Sequence, residues 1–213
     1  KLVIDKEGIP QAAWELVRAR DLARNGERIL DALEARFAYP MFVKPAGTGS
    51  SVGVSKAADR QALRQALAAA AKFDEKVLVE EFIRGKEIEV AVLGNENPVA
   101  SVCGEIDSGA EFYDYDAKYI TDTSRAYIPA RIPEDLQQEI RKAAVRVFRA
   151  IGCQGLSRVD FFATEDGRLV LNEINTLPGF TSISMYPKLF AASGIPYSRL
   201  IDELLKLAME AGK

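Results

Sequence analysis

The sequence predicts an α+β protein of two lobes, each built on a mostly antiparallel sheet, with a cleft between the lobes. Three observations carry this reading. Apolar strands of three to eight residues alternate with helix-period segments along the chain. Successive strands are joined by short turns at Arg84-Gly85, Asn95-Glu96-Asn97 and Glu165-Asp166-Gly167, as antiparallel neighbours require. The chain has 213 residues, 48% hydrophobic and 28% charged, room for one large domain or two small lobes with buried cores.

Taken in order, residues 1–7 read as a short helix stopped by Gly8 and Pro10. Asn25-Gly26 breaks the next segment, and residues 27–37 then carry Ile29, Leu30 and Leu33 at helical spacing. Residues 41–43 form a brief strand leading into Lys44-Pro45, a Gly-rich loop at 46–53, and a second strand at 54–56. Asp59 caps a helix bearing Leu63, Leu67, Ala70 and Ala71. Strands follow at 76–83, 86–93 and 98–106. In the second of these Ile88, Val90 and Val92 share one face while Glu87 and Glu89 share the other. Residues 107–131 hold no period and carry four tyrosines; a loop this long inside a compact protein tends to be functional, often a lid. Pro133 opens an amphipathic helix with Leu136, Ile140, Ala143, Ala144, Val147 and Ile151 on one face, and Gly152 stops it. Residues 157–164 and 168–175 form a hairpin. Strict alternation puts Arg158, Asp160 and Phe162 on one face of its first strand, and Leu169, Leu171, Glu173 and Asn175 together on its second. Loop follows to Pro187, then helices at 188–192 and 197–211.

Composition excludes several chemistries. With no histidine, Ser-His-Asp and Cys-His nucleophiles and imidazole metal ligands are absent. Cys103 and Cys153 lie outside any Cys-x-x-Cys spacing, which points to a reducing cytoplasm and no zinc site. A formal charge of -3 gives no global argument for nucleic acid or an anionic membrane, and no apolar run reaches the length of a membrane span. The chain opens on Lys1-Leu2-Val3 as though inside a helix, so a preceding segment is expected.

Three constellations carry chemistry. Pairing the hairpin strands can bring Asp160 close to Glu173 and Asn175, beside Arg158. Two carboxylates and an amide oxygen suit a hard cation such as Mg²⁺, although isolated polar residues on a wet strand face are common. Lys44 precedes a loop with Gly47, Gly49 and Gly53 and the hydroxyls of Thr48, Ser50 and Ser51. Such glycines let backbone N–H groups approach a phosphate that a lysine neutralises, and a plain mobile turn has the same composition. Glu80-Glu81-Phe82-Ile83, followed by Glu87, is a strand end whose backbone can pair with a purine edge and whose carboxylates can hold ribose hydroxyls; acidic strand ends are otherwise simply solvated.

Together, Val43-Lys44-Pro45 with the loop to Gly53, the stretch Phe112-Tyr113-Asp114-Tyr115-Asp116-Ala117-Lys118-Tyr119, Arg158-Val159-Asp160 and Asn172-Glu173-Ile174-Asn175-Thr176-Leu177-Pro178-Gly179-Phe180-Thr181 resemble D-alanine–D-alanine ligases of the ATP-grasp superfamily. The likeness covers essentially the whole chain and matches the family's central lobe (1–84, phosphate loop 46–53) and C-terminal lobe (85–213, substrate loop 107–131), without its N-terminal domain. It implies that Lys1, Lys44 and Ser51 contact ATP phosphates and that Glu80, Glu81, Ile83 and Glu87 hold adenine and ribose. It further implies that Asp160, Glu173 and Asn175 bind two Mg²⁺ or Mn²⁺ ions. Ser50 and Tyr119 resemble members of a triad near the first D-alanine, and Lys118 a lysine near the γ-phosphate. Arg158 and Gly179 resemble the groups that stabilise the tetrahedral intermediate, and Ser184 and Met185 those facing the second D-alanine.

The resemblance implies a cytoplasmic ligase for peptidoglycan precursor synthesis, with ATP and D-alanine as partners and a homodimer in the full-length form. The first carboxylate is phosphorylated and the second amine then attacks the acyl phosphate. Tyr119 argues against a D-lactate-using variant, for which the resemblance predicts a histidine in this loop. A D-serine-using variant, another ATP-grasp carboxylate–amine ligase, and a nucleotide-binding module without turnover are the competing readings.

Overall fold

A computed structural model describes residues 1–48, 52–107 and 125–211. The chain divides into two compact units. One holds Ala12–Ile83; the other holds Lys1–Gln11, Arg84–Asp107 and the chain from Arg125 on. The first eleven residues thus sit with the later unit, whereas the sequence reading grouped them with the earlier lobe.

The earlier unit is a four-stranded antiparallel sheet under two helices. Its elements are β1 (Trp14–Arg18), α2 (Ala19–Arg36), β2 (Met41–Pro45), β3 (Ser55–Ala57), α3 (Arg60–Ala70) and β4 (Lys76–Glu81), with strand order β1-β4-β2-β3. Alternation splits the sheet. Val17, Met41, Val43, Ala57, Val77 and Val79 pack with Leu30 and Leu33 of α2 and Leu63 and Leu67 of α3 in one core. Asp59 caps α3 as expected, accepting from the Ala62 N–H at 2.8 Å. Two expectations fail here. β1 was not foreseen, and α2 does not begin at Glu27. It runs from Ala19 through Asn25, which leaves helical geometry at φ -130°. The Asn-Gly signal therefore kinks the helix without ending it, because Leu22, Ile29, Leu30 and Leu33 on both sides pack on the same core.

In the later unit α1 (Leu2–Lys6) precedes β5 (Gly85–Gly94), β6 (Val99–Ala100), β7 (Gly104–Asp107), β8 (Arg125–Tyr127), α4 (Glu134–Ala150), β9 (Gly155–Thr164), β10 (Leu169–Asn175), α5 (Met185–Ala192) and α6 (Tyr197–Ala211). The antiparallel sheet runs β10-β9-β5-β7-β8, with β6 on β5. One face is apolar: Ile88, Val90, Val92, Val159, Phe161, Leu169 and Leu171 pack against Ile140, Ala144, Val147 and Phe148 of α4. The other face is divided. Ala91 and Leu93 join Tyr186, Leu189 and Phe190 of α5 and Leu200 of α6, while the positions further along carry charge.

Three local expectations are corrected. The strand expected over 98–106 is two strands, because the Ser101 hydroxyl accepts the Ala91 N–H at 3.0 Å where a ladder carbonyl would stand. α5 starts at Met185, before Pro187, since a proline in the first turn gives up an N–H that has no helical partner there. The hairpin forms around Gly167 at φ 80°, but β10 carries a bulge between Leu171 and Glu173. Leu171 pairs with Phe161 and Glu173 with Asp160, so Leu169 and Leu171 enter the core and Glu173 and Asn175 turn to the opposite face. The single face expected for all four is thereby broken.

Candidate active site

On the charged half of the six-stranded sheet, register places three carboxylates in one row across three strands. Glu89 of β5 and Glu173 of β10 are both direct partners of Asp160 on β9. The next row on the same face holds Arg158, paired with Asn175 on one side and Ala91 on the other. Arg158 lies along the strand onto Asp160, with Nε 2.8 Å from Oδ1 and Nη2 2.7 Å from Oδ2, a bidentate pair. The same Nε stands 3.4 Å from Glu89 Oε1. Burial works against the guanidinium charge, but Asp160 above all, with Glu89 and Glu173, outweighs it and holds the Arg158 pKa above its ordinary value. Asn175 Oδ1 accepts from the Leu177 N–H at 3.1 Å.

The donor set suits a hard divalent ion. All candidate ligands are oxygens, and three carboxylates against one guanidinium leave two negative charges, those one such ion neutralises. Among the described residues no group of three acidic or cysteine side chains converges on a metal position. Both Asp160 oxygens face Arg158.

Beyond β10, the Ser184 hydroxyl accepts the Thr181 N–H at 3.0 Å and meets the Thr181 hydroxyl at 2.9 Å. A Cβ on Gly179 would stand 2.9 Å from Ser184 Oγ, so a side chain here would displace the Ser184 hydroxyl from this arrangement. Met185 does not share the half-buried setting of Ser184. Its side chain is buried in the α5 core against Gly104. Lys1 is tied to the same unit: its Nζ lies 3.3 Å from Gln11 Oε1, and Gln11 bridges Leu171 of β10.

In the four-stranded unit the face turned away from its helices carries Lys44 and Glu80, paired at 2.8 Å with side chains 16% and 7% exposed. Phe42 lies on the same face and stacks on Phe82 at 5.8 Å, with Lys56 Nζ 4.8 Å above the Phe82 ring. Glu81 uses its side chain locally, accepting the Ala13 N–H at 2.8 Å, while its own N–H donates to the Ala13 carbonyl at 3.0 Å. Ile83 lies half-buried in the connection after β4, and Glu87 half-buried on β5, one alternation before Glu89. Gly47 donates to Asp74 Oδ2 at 2.7 Å and anchors the near end of the Gly-rich loop. Ser50, Ser51, Lys118 and Tyr119 lie outside the described residues.

The profile of the family described as "D-ala D-ala ligase C-terminus" matches residues 3–206. The chain belongs to that family. A D-alanine–D-alanine ligase of Acetivibrio thermocellus is 54% identical over 211 residues, covering 99% of this chain and 56% of the relative. One from Ruminiclostridium cellulolyticum is 54% identical over 213 residues, covering 57% of its length. The chain therefore spans under three fifths of the curated ligases it matches. Among solved structures, the VanG D-Ala:D-Ser ligase of Enterococcus faecalis superposes with a TM-score of 0.86 at 38% identity, over 97% of this chain and 59% of that one. The D-alanine–D-alanine ligase of Coxiella burnetii gives 0.81 at 35%, over 99% and 55%. The expected fold, α+β with antiparallel sheets of ATP-grasp type, is the fold of these ligases.

Sequence reasoning brought Asp160, Glu173, Asn175 and Arg158 to one face and missed Glu89 as a member. Alternation showed that Glu89 faces away from the core, but only the cross-strand register shows that it faces Asp160.

Proposed function

We propose that this chain is the nucleotide- and metal-binding part of a ligase joining two D-alanines at the expense of ATP, giving D-alanyl-D-alanine, ADP and phosphate. The observation that supports it most is the family match over residues 3–206 combined with the Glu89–Asp160–Glu173 row on the polar half of a sheet face. Lys44 and Lys1 supply positive charge for ATP phosphates. The strand end at Glu80, Glu81 and Ile83 offers backbone groups to adenine, with Glu87 for ribose. Asp160, Glu173 and Asn175 are the residues that would hold one or two Mg²⁺ or Mn²⁺ ions, which neutralise phosphate charge when bound.

A carboxylate oxygen of the first D-alanine attacks the γ-phosphorus, ADP leaves, and an acyl phosphate results. The amine of the second D-alanine then attacks the acyl carbon, loses a proton, and expels phosphate. Arg158 stands ready for the oxyanion of the tetrahedral intermediate, because its charge is permanent and it is held between the Asp160 and Glu89 carboxylates. Ser184 is the better candidate than Met185 for side-chain contact with the second amino acid, since the Met185 side chain is buried. Ser50, Lys118 and Tyr119 are assigned to the first D-alanine and the γ-phosphate by family likeness.

Calorimetry of ATP binding with and without Mg²⁺, followed by phosphate release and dipeptide detection with D-alanine, tests the proposal. Mg²⁺-dependent ATP binding is expected; binding indifferent to Mg²⁺ would remove it. The similarity to a D-Ala:D-Ser ligase supports a second reading in which D-serine is the second substrate. Competition between D-alanine and D-serine for dipeptide formation separates the two. In a form that turns over, Tyr119→Phe is expected to lower dipeptide synthesis or relax rejection of D-lactate.

A further inference from the structure

We propose that Glu89 is a positioning residue: it takes over the Arg158 guanidinium when Asp160 turns its oxygens to a divalent cation. The inference rests on the metal reading just given. Arg158 touches carboxylates from two strands at once, and its Nε is shared between Asp160 at 2.8 Å and Glu89 at 3.4 Å. Register gives that sharing a direction. Asp160 is the centre of the row, Glu89 one strand away on β5 and Glu173 one strand away on β10. Adjacent strands stand about 4.8 Å apart, so a cation between Asp160 and Glu173 and a guanidinium on Glu89 occupy opposite sides of Asp160.

Competition for Asp160 makes the transfer necessary. Mg²⁺ binds carboxylate oxygen at about 2.0–2.1 Å and carries two charges, and it does not share both oxygens with a bidentate guanidinium. Arg158 cannot shed its proton, and its side chain is only 17% exposed, so once displaced it needs another anion. Glu89, 13% exposed and already within reach, is that anion. With a divalent ion on the β10 side and Arg158 on the β5 side, the row becomes neutral. Without Glu89 the displaced guanidinium would be stranded, and the cost would appear as weaker metal binding.

Mn²⁺ binding to the 213-residue chain with a non-hydrolysable ATP analogue, followed by electron paramagnetic resonance, tests this in the wild type, Glu89→Gln, Arg158→Gln and the double variant. Glu89→Gln is expected to weaken Mn²⁺ binding about tenfold or more, and by less than about threefold when Arg158 is already Gln. Glu89→Asp, which keeps the charge, should recover part of the loss and provides the comparison should Glu89→Gln fold poorly. Equal loss in both backgrounds would show Glu89 acting as a ligand or bare charge, and no loss would show it idle. Either result overturns the positioning role and leaves the ligase reading standing. A wild type that binds no Mn²⁺ would remove the metal reading itself, and this inference with it.

Discussion

Replacing Lys44 by methionine tests how the four-stranded unit holds a charge on the face turned away from its helices. Lys44 and Glu80 are paired at 2.8 Å with little exposure on either side. Methionine keeps the aliphatic stem and removes the ammonium, leaving the Glu80 carboxylate buried beside Phe42. Removing one partner of a buried pair costs about 3–5 kcal/mol, and the remaining exposure of Lys44 puts this case near 3 kcal/mol, with ~2–4 °C of melting temperature lost per kcal/mol. A fall of roughly 6–12 °C by scanning calorimetry is therefore expected. Adding Glu80→Gln removes the buried carboxylate charge that Lys44 balanced and should return about half of the loss or more. The ligand assay belongs in that neutral background. Comparing Lys44→Met/Glu80→Gln with Glu80→Gln alone isolates the lysine, and ATP affinity should fall much more than adenosine affinity. A single variant melting within about 2 °C of the wild type, or a double variant no better than the single, would refute the reasoning.

Asp59→Ala removes the cap of α3 and should cost about 1 kcal/mol, a melting shift of roughly 2–4 °C that Asp59→Ser largely restores. Burial of Glu105 raises its pKa, but hydrogen bonds from Arg131 and the charge of Lys86 outweigh that and leave it below the ordinary value of 4.5. Its stabilising contribution is thus complete above pH 4.5 and lost as pH falls through the lower folded-state value, so Glu105→Gln should flatten the acid limb of the stability profile, read by urea midpoints at several pH values. Glu173→Ala should abolish the Mg²⁺ dependence of ATP binding seen by calorimetry; unchanged dependence would remove Glu173 from the metal site.

Much of the fold was legible because its strongest elements obey one period each. The helix after Pro133, the cap at Asp59 and the strands at β4 and β5 follow from spacing and turn chemistry alone. What stayed hidden depends on pairing. In β1 only Val17 reaches the core, so Trp14-Glu15-Leu16-Val17-Arg18 shows no clean alternation, and only its ladder with β4 makes it a strand. The bulge at Asn172 is likewise invisible to a rule of strict alternation, although it decides which way Glu173 faces. Family likeness supplied roles for Lys1, Glu81 and Met185 that local geometry qualifies. Lys1 is engaged by Gln11, Glu81 holds the Ala13 amide, and Met185 fills core.

The location of the candidate site follows from how one strand spends its two faces. Along β5 the even positions Ile88, Val90 and Val92 all go to the α4 core. The odd positions divide, with Ala91 and Leu93 under α5 and α6 but Glu87 and Glu89 beyond them. β9 repeats the division: Val159 and Phe161 turn to α4, Leu156 lies under the C-terminal helices, and Arg158 and Asp160 fall on the polar side. The charged row is therefore set in the centre of a sheet whose reverse face is fully packed, where neighbouring ladders fix each Cα. Such a base suits chemistry that needs an oxyanion donor and metal ligands held to within about 0.5 Å. A one-residue slip between β5 and β9 would exchange Glu89 for Ile88 or Val90 opposite Asp160 and drive a carboxylate into the α4 core. The burial that stabilises the fold thereby also enforces the register that assembles the site.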